Sequence, residues 1–254
     1  MCGITGVFAE NGNVSIHKNN LNEAVCRLKK RGPDFQSVYA DSHVLLGHTR
    51  LSIIDTSTAA NQPFEDLSKR FVIVFNGEIY NYREIKAELL KKGYDFKSQS
   101  DTEVLLYAYI EFGSSCLDLL NGFFAFAVYD NKEKNLFLAR DRMGIKPLYY
   151  YYDNGLFIFG SELKSLMAFN IDRSIDQESL YYYLQLNYIP EPYSILKNVK
   201  KLEKGHYLNV GVNAFSLKPY YNIKLSPHDD ISFDDAAEKM RALTMSSVKK
   251  RLVS

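Results

Sequence analysis

Residues 123 to 128 read Phe-Phe-Ala-Phe-Ala-Val, apolar at every position rather than at every second one. A strand of that kind has to be covered on both faces. Val44 to His48, Phe71 to Phe75, Phe123 to Tyr129, Leu136 to Ala139 and Leu156 to Phe159 are short β-branched or aromatic runs bounded by turn residues, and several are continuous. Residues 2 to 9 alternate small and apolar positions like a further strand. Leu21, Val25 and Leu28 then recur at helical spacing until Arg31-Gly32-Pro33-Asp34 stops the helix. Helical patterns also fill Tyr82 to Lys92, with Ile85, Leu89 and Leu90 on one face, and Asp101 to Phe112, with Val104, Leu105, Ala108 and Tyr109 on one face. Ser100 followed by Glu103 predicts a capping box at the second of these. Strand clusters separated by helix pairs point to an α+β protein whose helices cover its sheets, with sheet packed on sheet as one layering.

The 254 residues suffice for one large domain or two small ones. A formal net charge of +1 gives no electrostatic footprint for nucleic acid or an anionic membrane. Cys2, Cys26 and Cys116 are an odd set without paired spacing, which favours a reducing compartment, cytoplasm by default, over a disulfide framework. The start has no secretory pattern, and no run approaches ~20 apolar residues. No metal-ligand spacing is present.

Beyond about residue 172 the texture changes. A helical stretch with Leu180, Leu184 and Leu186 ends at Asn187 to Pro192, a hairpin-like region runs from Gly205 to Tyr221, and Ser232 starts a new helix. Phe233, Ala236, Ala237, Met240, Leu243, Val248 and Leu252 give that helix an apolar stripe with no evident partner.

Chemistry begins at Cys2. Removal of Met1 would leave a thiol and a free α-amine on one residue, and their ordinary pKa values, ~8.5 and ~7.7 to 8.0, suit proton exchange at neutral pH. An N-terminal nucleophile activated by its own amine is an established mode of acyl transfer; a small residue that merely opens a strand is the plainer reading. Arg50, after the strand LLGHTR, is either a bidentate carboxylate clamp or a surface strand end. Asp101 either accepts a ligand ammonium or stabilises its helix N-terminus. Asn76-Gly77 offers a side-chain and a backbone N–H suited to an oxyanion, and is also a common hairpin turn. Free glutamine carries a carboxylate, an ammonium and an amide, and attack on that amide needs a nucleophile, oxyanion donors, a cation and an anion. Cys2, Asn76 with Gly77, Arg50 and Asp101 supply one of each. Cys26 and Cys116 read as small buried residues, and His48 as a structural residue that also orders the pocket.

MCGITGVF, RGPD (31 to 34), GHTRLSIID (47 to 55), NQPF (61 to 64), FNGEIYN (75 to 81), SDTEVLL (100 to 106), LNGFFAFAVYD (120 to 130), RDRMGIKPLYY (140 to 150) and GSELKSL (160 to 166) resemble, in order and spacing, the glutaminase domain of asparagine synthetases. The resemblance covers essentially the whole chain. It implies a class II glutamine amidotransferase with the N-terminal nucleophile hydrolase fold, an αββα sandwich of two mainly antiparallel sheets. By that resemblance Cys2 is the nucleophile, its freed amine the base, and Asn76 and Gly77 the oxyanion donors. Arg50 holds the glutamine α-carboxylate with backbone contacts from Leu51, Ser52, Ile53 and Ile54, and Glu78 and Asp101 face the α-amino group. Residues 140 to 150 and the strand at 123 to 128 match parts near the synthetase domain; a packed core strand is the more economical reading of the latter.

Residues 1–190 are expected to form the amidotransferase domain, and 191–254 a connecting segment with the first helix of a synthetase domain otherwise absent here. The glutaminase reaction implies no cofactor, whereas ATP and magnesium belong to the absent part, whose SGG-type motif this chain lacks. Expected partners are glutamine, that synthetase domain and a second copy in a homodimer. With Met1 in place the Cys2 nitrogen is an amide and no base. Competing readings are an asparagine-synthetase-like enzyme with another acceptor such as a sugar, an N-terminal hydrolase of other amides, and a non-catalytic module that keeps the fold.

Overall fold

A computed structural model describes residues 1–224 and 231–252. In chain order it forms β1 (Gly3–Ala9), α1 (Lys18–Arg27), β2 (Phe35–Ala40), β3 (Val44–Arg50), β4 (Phe64–Glu65), β5 (Phe71–Ile79), α2 (Tyr82–Lys91), α3 (Asp101–Phe112), α4 (Cys116–Leu119) and β6 (Gly122–Asp130). There follow β7 (Asn135–Arg140), β8 (Tyr149–Asp153), β9 (Leu156–Gly160), α5 (Leu163–Leu166), α6 (Gln177–Leu186), β10 (Val199–Lys201), β11 (His206–Gly211), β12 (Ala214–Pro219) and α7 (Phe233–Arg251). The strands make two sheets, ordered β10-β8-β9-β1-β3-β2 and β12-β11-β7-β6-β5-β4, and every strand pairing within them is antiparallel.

The continuous apolar strands divide their side chains between two cores by simple alternation. Ile4 and Phe8 of β1, Val44 and Leu46 of β3, Val72 and Val74 of β5, and Ala125, Ala127 and Tyr129 of β6 fill the layer between the sheets. The intervening residues face helices: Val7 and Leu45 pack with Leu21 and Val25 of α1, and Ile73, Phe75, Phe124, Phe126 and Val128 pack with Leu89 of α2 and Val104 and Leu105 of α3. The result is an αββα sandwich.

Several boundaries differ from the sequence-based expectation. β5 runs on to Ile79, so Asn76-Gly77 lies inside a paired strand and is not a hairpin turn. The boundary expected after residue 190 falls within the pairing network, because β10 pairs with β8, and β11 pairs with β7. Cys26 is exposed rather than buried, whereas Cys116 is buried as the apolar context of SSCLDLL suggests. The capping box at α3 is half made: Ser100 Oγ accepts from Glu103 N–H at 3.3 Å. The Glu103 carboxylate does not return to Ser100 but accepts the N–H groups of Lys97 (2.9 Å) and Ser98 (2.7 Å), tying down the approach to the helix.

The helix expected from Ser232 is α7, capped by Ser232 Oγ; Val253 and Ser254 of that expectation lie outside the described residues. Its apolar stripe is exposed, Phe233, Met240, Leu243, Val248 and Leu252 included. Near its end, the Arg251 guanidinium lies over the rings of Tyr80 (5.0 Å) and Phe123 (4.9 Å). No helix among the described residues is long and apolar enough to cross a membrane.

These layers set unequal stakes for equal truncations. Leu46→Ala, in the inter-sheet core, is expected to lower the unfolding free energy by about 2 to 5 kcal/mol. Leu243→Ala on α7 should change it by less than about 0.5 kcal/mol. Urea denaturation of the two variants measures both.

Candidate active site

The alternation that fills the inter-sheet core continues past its apolar end. Cys2 is in phase with Ile4, Arg50 with Val44 and Leu46, and Asn76 and Glu78 with Val72 and Val74, so all four project between the sheets where they part. There a cavity of about 90 Å³ is lined by Cys2, Arg50, Asn76, Gly77, Glu78 and Asp101, together with Leu51, Ile53 and Ile54. Ser52 alone of the sequence-predicted set does not line it; its N–H instead donates to Asp34 Oδ2 at 2.8 Å.

Cys2 sits just before β1, its carbonyl held by Arg31 Nε at 2.8 Å. Arg31 is itself anchored by Glu162 at 3.0 Å. Gly32 lets this turn lie against β3, since a Cβ there would come within 2.3 Å of the Thr49 carbonyl. The thiol meets the Leu51 backbone, with the N–H at 3.4 Å from Sγ and the carbonyl at 3.6 Å. Burial pushes the Cys2 pKa up, opposed by the Leu51 hydrogen bond and the nearby N-terminal ammonium, so the thiol needs a base to ionise.

Asn76 is 1% exposed, and neither its Nδ2 nor its Oδ1 has a hydrogen-bond partner among the described residues. A buried amide left open in this way costs roughly 1 to 3 kcal/mol. The next N–H joins it. Phe75 N–H donates to Gln62 Oε1 (2.6 Å) and Ile79 N–H to Asp101 Oδ2 (3.0 Å); Gly77, midway between them on β5, turns its N–H to the same edge. Gly77 is required on its other side, because a Cβ would lie 2.2 Å from the Phe123 carbonyl oxygen and 2.8 Å from Phe124 Cα.

The two charged residues are buried, which removes the surface reading of Arg50. The Arg50 guanidinium donates to the Ser57 carbonyl (2.7 Å), Asn61 Oδ1 (2.6 Å) and the Asp55 carbonyl, so it shapes the 51–62 loop as well as facing the cavity. Asp101 opens α3, and its carboxyl pKa is pushed up to about 7, chiefly by burial, with Glu78 adding to the rise and the Ile79 N–H opposing it. His48, fully buried, meets the Phe75 carbonyl through Nε2 at 3.2 Å and so ties β3 of one sheet to β5 of the other; burial holds its pKa down to about 3.

Sequence reasoning assigned no role to Gln62, Thr102 or Lys146, which also line the cavity. Gln62 joins three parts of the site, since it accepts from Phe75 N–H and donates to Thr102 Oγ1 at 3.0 Å. The signal for it was its place in NQPF, and for Lys146 its place in RDRMGIKPLYY. Among the described residues no cluster of three His, Cys, Asp or Glu side chains is placed to hold a metal ion.

The fold is the αββα sandwich of the N-terminal nucleophile hydrolase class. It superposes on glutamine phosphoribosylpyrophosphate amidotransferase from B. subtilis with a TM-score of 0.60 at 17% identity, over 87% of this chain and 49% of that one. A family model described as a glutamine amidotransferase domain matches residues 1–221, and the chain belongs to that family as a class II glutamine amidotransferase domain. It is 38% identical over 258 residues to asparagine synthetase [glutamine-hydrolyzing] 3 of Bacillus subtilis (strain 168), covering 100% of this chain and 42% of the relative. It is 35% identical over 278 residues to putative asparagine synthetase [glutamine-hydrolyzing] 2 of Methanocaldococcus jannaschii, covering 100% and 53%. The chain thus spans about half the length of these relatives or less.

Close approach of β5 to β6 at Gly77 makes a clear prediction. Gly77→Ala should lower stability by about 1 to 3 kcal/mol through the clash with Phe123, visible as a reduced Tm before any activity is measured.

Proposed function

We propose that this chain, once Met1 is removed, hydrolyses glutamine to glutamate and ammonia through a thioester on Cys2. The open amide of Asn76 supports this reading most directly. A buried side chain with both polar ends unpartnered, lining a cavity beside a thiol, is a group that waits for a ligand.

In the proposed reaction the freed Cys2 amine accepts the Sγ proton, and Sγ attacks the glutamine amide carbon. Charge that moves to the amide oxygen is received by Asn76 Nδ2 and the Gly77 N–H. The intermediate expels ammonia, which takes up the proton held by the amine, and water then cleaves the thioester. Arg50 binds the α-carboxylate with donors it does not spend on the 51–62 loop, aided by backbone of Leu51, Ile53 and Ile54. Asp101 and Glu78 receive the ammonium.

The longer relatives, asparagine synthetases by name, suggest the setting: ammonia passes to a synthetase domain that amidates aspartate, with residues 1–221 as the amidotransferase domain and α7 as the first helix of the synthetase domain. ATP and magnesium for that domain are part of the proposal and rest on the sequence resemblance alone. A cytoplasmic location and a homodimer belong to the same proposal. Fully buried Asn76 and a carboxyl held near neutrality by its surroundings favour a working site over a non-catalytic module.

The processed chain should release ammonia and glutamate in equal amounts, and Cys2→Ala should abolish this. Asn76→Leu should move two measurements in opposite directions. It raises unfolding stability by about 1 kcal/mol, since an open buried amide is replaced by an apolar group of similar shape. It also lowers kcat by about 10² to 10³. A stable, folded, Met1-free protein without glutaminase activity would overturn the proposal.

Asp101 sets a pH dependence. Because its carboxyl titrates near 7, it is largely protonated at pH 6 and ionised at pH 8, and only the ionised form pairs with the substrate ammonium. KM for glutamine should therefore fall as pH rises from about 6 to 8, and Asp101→Asn should raise KM and flatten that dependence.

A further inference from the structure

Lys146 lines the cavity, and no step of the proposed reaction engages it. It stands in the turn between β7 and β8, and that turn is firmly built. The Asp141 carboxylate accepts the N–H groups of Met143 (3.1 Å), Ile145 (3.0 Å) and Lys146 (3.0 Å). Arg140 donates to the carbonyls of Gly144 (2.6 Å) and Lys146 (2.8 Å). The side chain is aimed at the start of the chain, with Nζ 3.4 Å from Met1 Sδ, and among the described residues no carboxylate lies within ion-pair distance of it.

Loss of Met1 removes that sulfur and brings the amine onto residue 2, which lines the same cavity as Lys146. We propose that Lys146 is a positioning residue that acts through this amine: the positive charge of its ammonium form disfavours a second one on the Cys2 nitrogen and so keeps the nitrogen a base at neutral pH. The inference rests on the glutaminase reading for its purpose but not for its electrostatics. The proton path balances: the neutral amine takes the Sγ proton as the S–C bond forms, then returns it to the departing ammonia.

The surrounding charges leave room for this effect. Arg31 acts on the N-terminal amine in the same sense as Lys146, while Asp34 and an ionised Cys2 oppose it. Glu78 and Asp141 act on Lys146 itself from β5 and from its own turn, with Arg31 opposing them. Arg50 and Asp101 bear on the thiol in opposite senses. Burial and the neighbouring cations already hold the amine of Met1 below its ordinary value.

The test compares Met1-free wild type, Lys146→Met and Lys146→Arg, with ¹³C-labelled Cys2 followed by NMR as pH is varied, its Cα reporting the amine and its Cβ the thiol. Removing a cation raises the pKa of a nearby amine, so Lys146→Met should move the amine midpoint up by about 0.5 to 1 pH unit, and Lys146→Arg should leave it near wild type. The acid limb of kcat at saturating glutamine, where Asp101 is paired with the ligand, should move by the same amount. At a pH below that limb, this is a loss of about threefold to tenfold in kcat. Exposed Lys91→Met controls for a general change of net charge and should move neither. An unchanged amine midpoint in folded Lys146→Met overturns the inference. A shifted midpoint in a wild-type background without glutaminase activity would instead leave Lys146 its electrostatic role and overturn the catalytic reading beneath it.

Discussion

A strand covered on both faces has two cores to serve, and its twofold alternation assigns each residue to one of them. In this sandwich the phase of β1, β3 and β5 is fixed by Ile4, Leu46 and Val74 in the layer between the sheets. Once that phase is set, Cys2, Arg50 and Asn76 have no freedom to point elsewhere. A slip of one residue in any of these strands would bury a helix-facing residue between the sheets and turn a cavity residue outward. The apolar layer is therefore the device that aims the polar groups, and the site lies where this layer gives out.

Aiming is only part of the task, because polar groups at the end of a core must also be satisfied. Most are, by backbone. Arg50 takes the carbonyls of Asp55 and Ser57, Asp101 takes the Ile79 N–H, Arg31 takes the Cys2 carbonyl, and Gln62 closes β5 against Thr102. Each such bond fixes a site side chain and a loop at the same time. The His48 bond to the Phe75 carbonyl adds a link between the sheets beside Asn76, and its depressed pKa keeps that link uncharged. Against this background the Asn76 amide stands out physically, since both of its polar ends are open, whereas His48 and Arg31 each leave one nitrogen open and bond through another.

Sequence alone carried the strands whose apolar runs are continuous, and the helices with strong 3.6-residue periodicity. β2 and β10 escaped it because edge strands bury less: FQSVYA in β2 is half-buried or exposed throughout, and β10 is three residues long. Asn76-Gly77 could not be separated from a turn without knowing that β6 pairs across it, and the need for glycine there comes from Phe123 and Phe124, remote in sequence. The Ser100 half of the capping box was legible, while the use of Glu103 depended on where residues 97 and 98 approach the helix. Cys26 lies on the exposed side of α1, a matter of helix phase that a lone cysteine does not reveal. The cavity residues were legible as types and positions; their convergence was not, since it depends on the register of β1 against β3 and on the facing of β3 to β5 across the core.

The same register explains why the ionisable groups of this cavity sit away from their ordinary pKa values together. Burial raises Cys2 and Asp101 and lowers Lys146 and His48, so each is driven toward its neutral form. A cavity biased in this way is suited to a zwitterion, which would supply the charges that its own groups lack. An ammonium beside Asp101 favours the carboxylate, and a carboxylate beside Arg50 offsets the desolvation of the guanidinium. In the proposed reaction the neutral glutamine amide would meet neutral donors at Asn76 and Gly77, where no net charge competes with the one that develops during attack. The strands that exclude water from the core thus also create the low-dielectric setting in which a few fixed charges and dipoles act strongly.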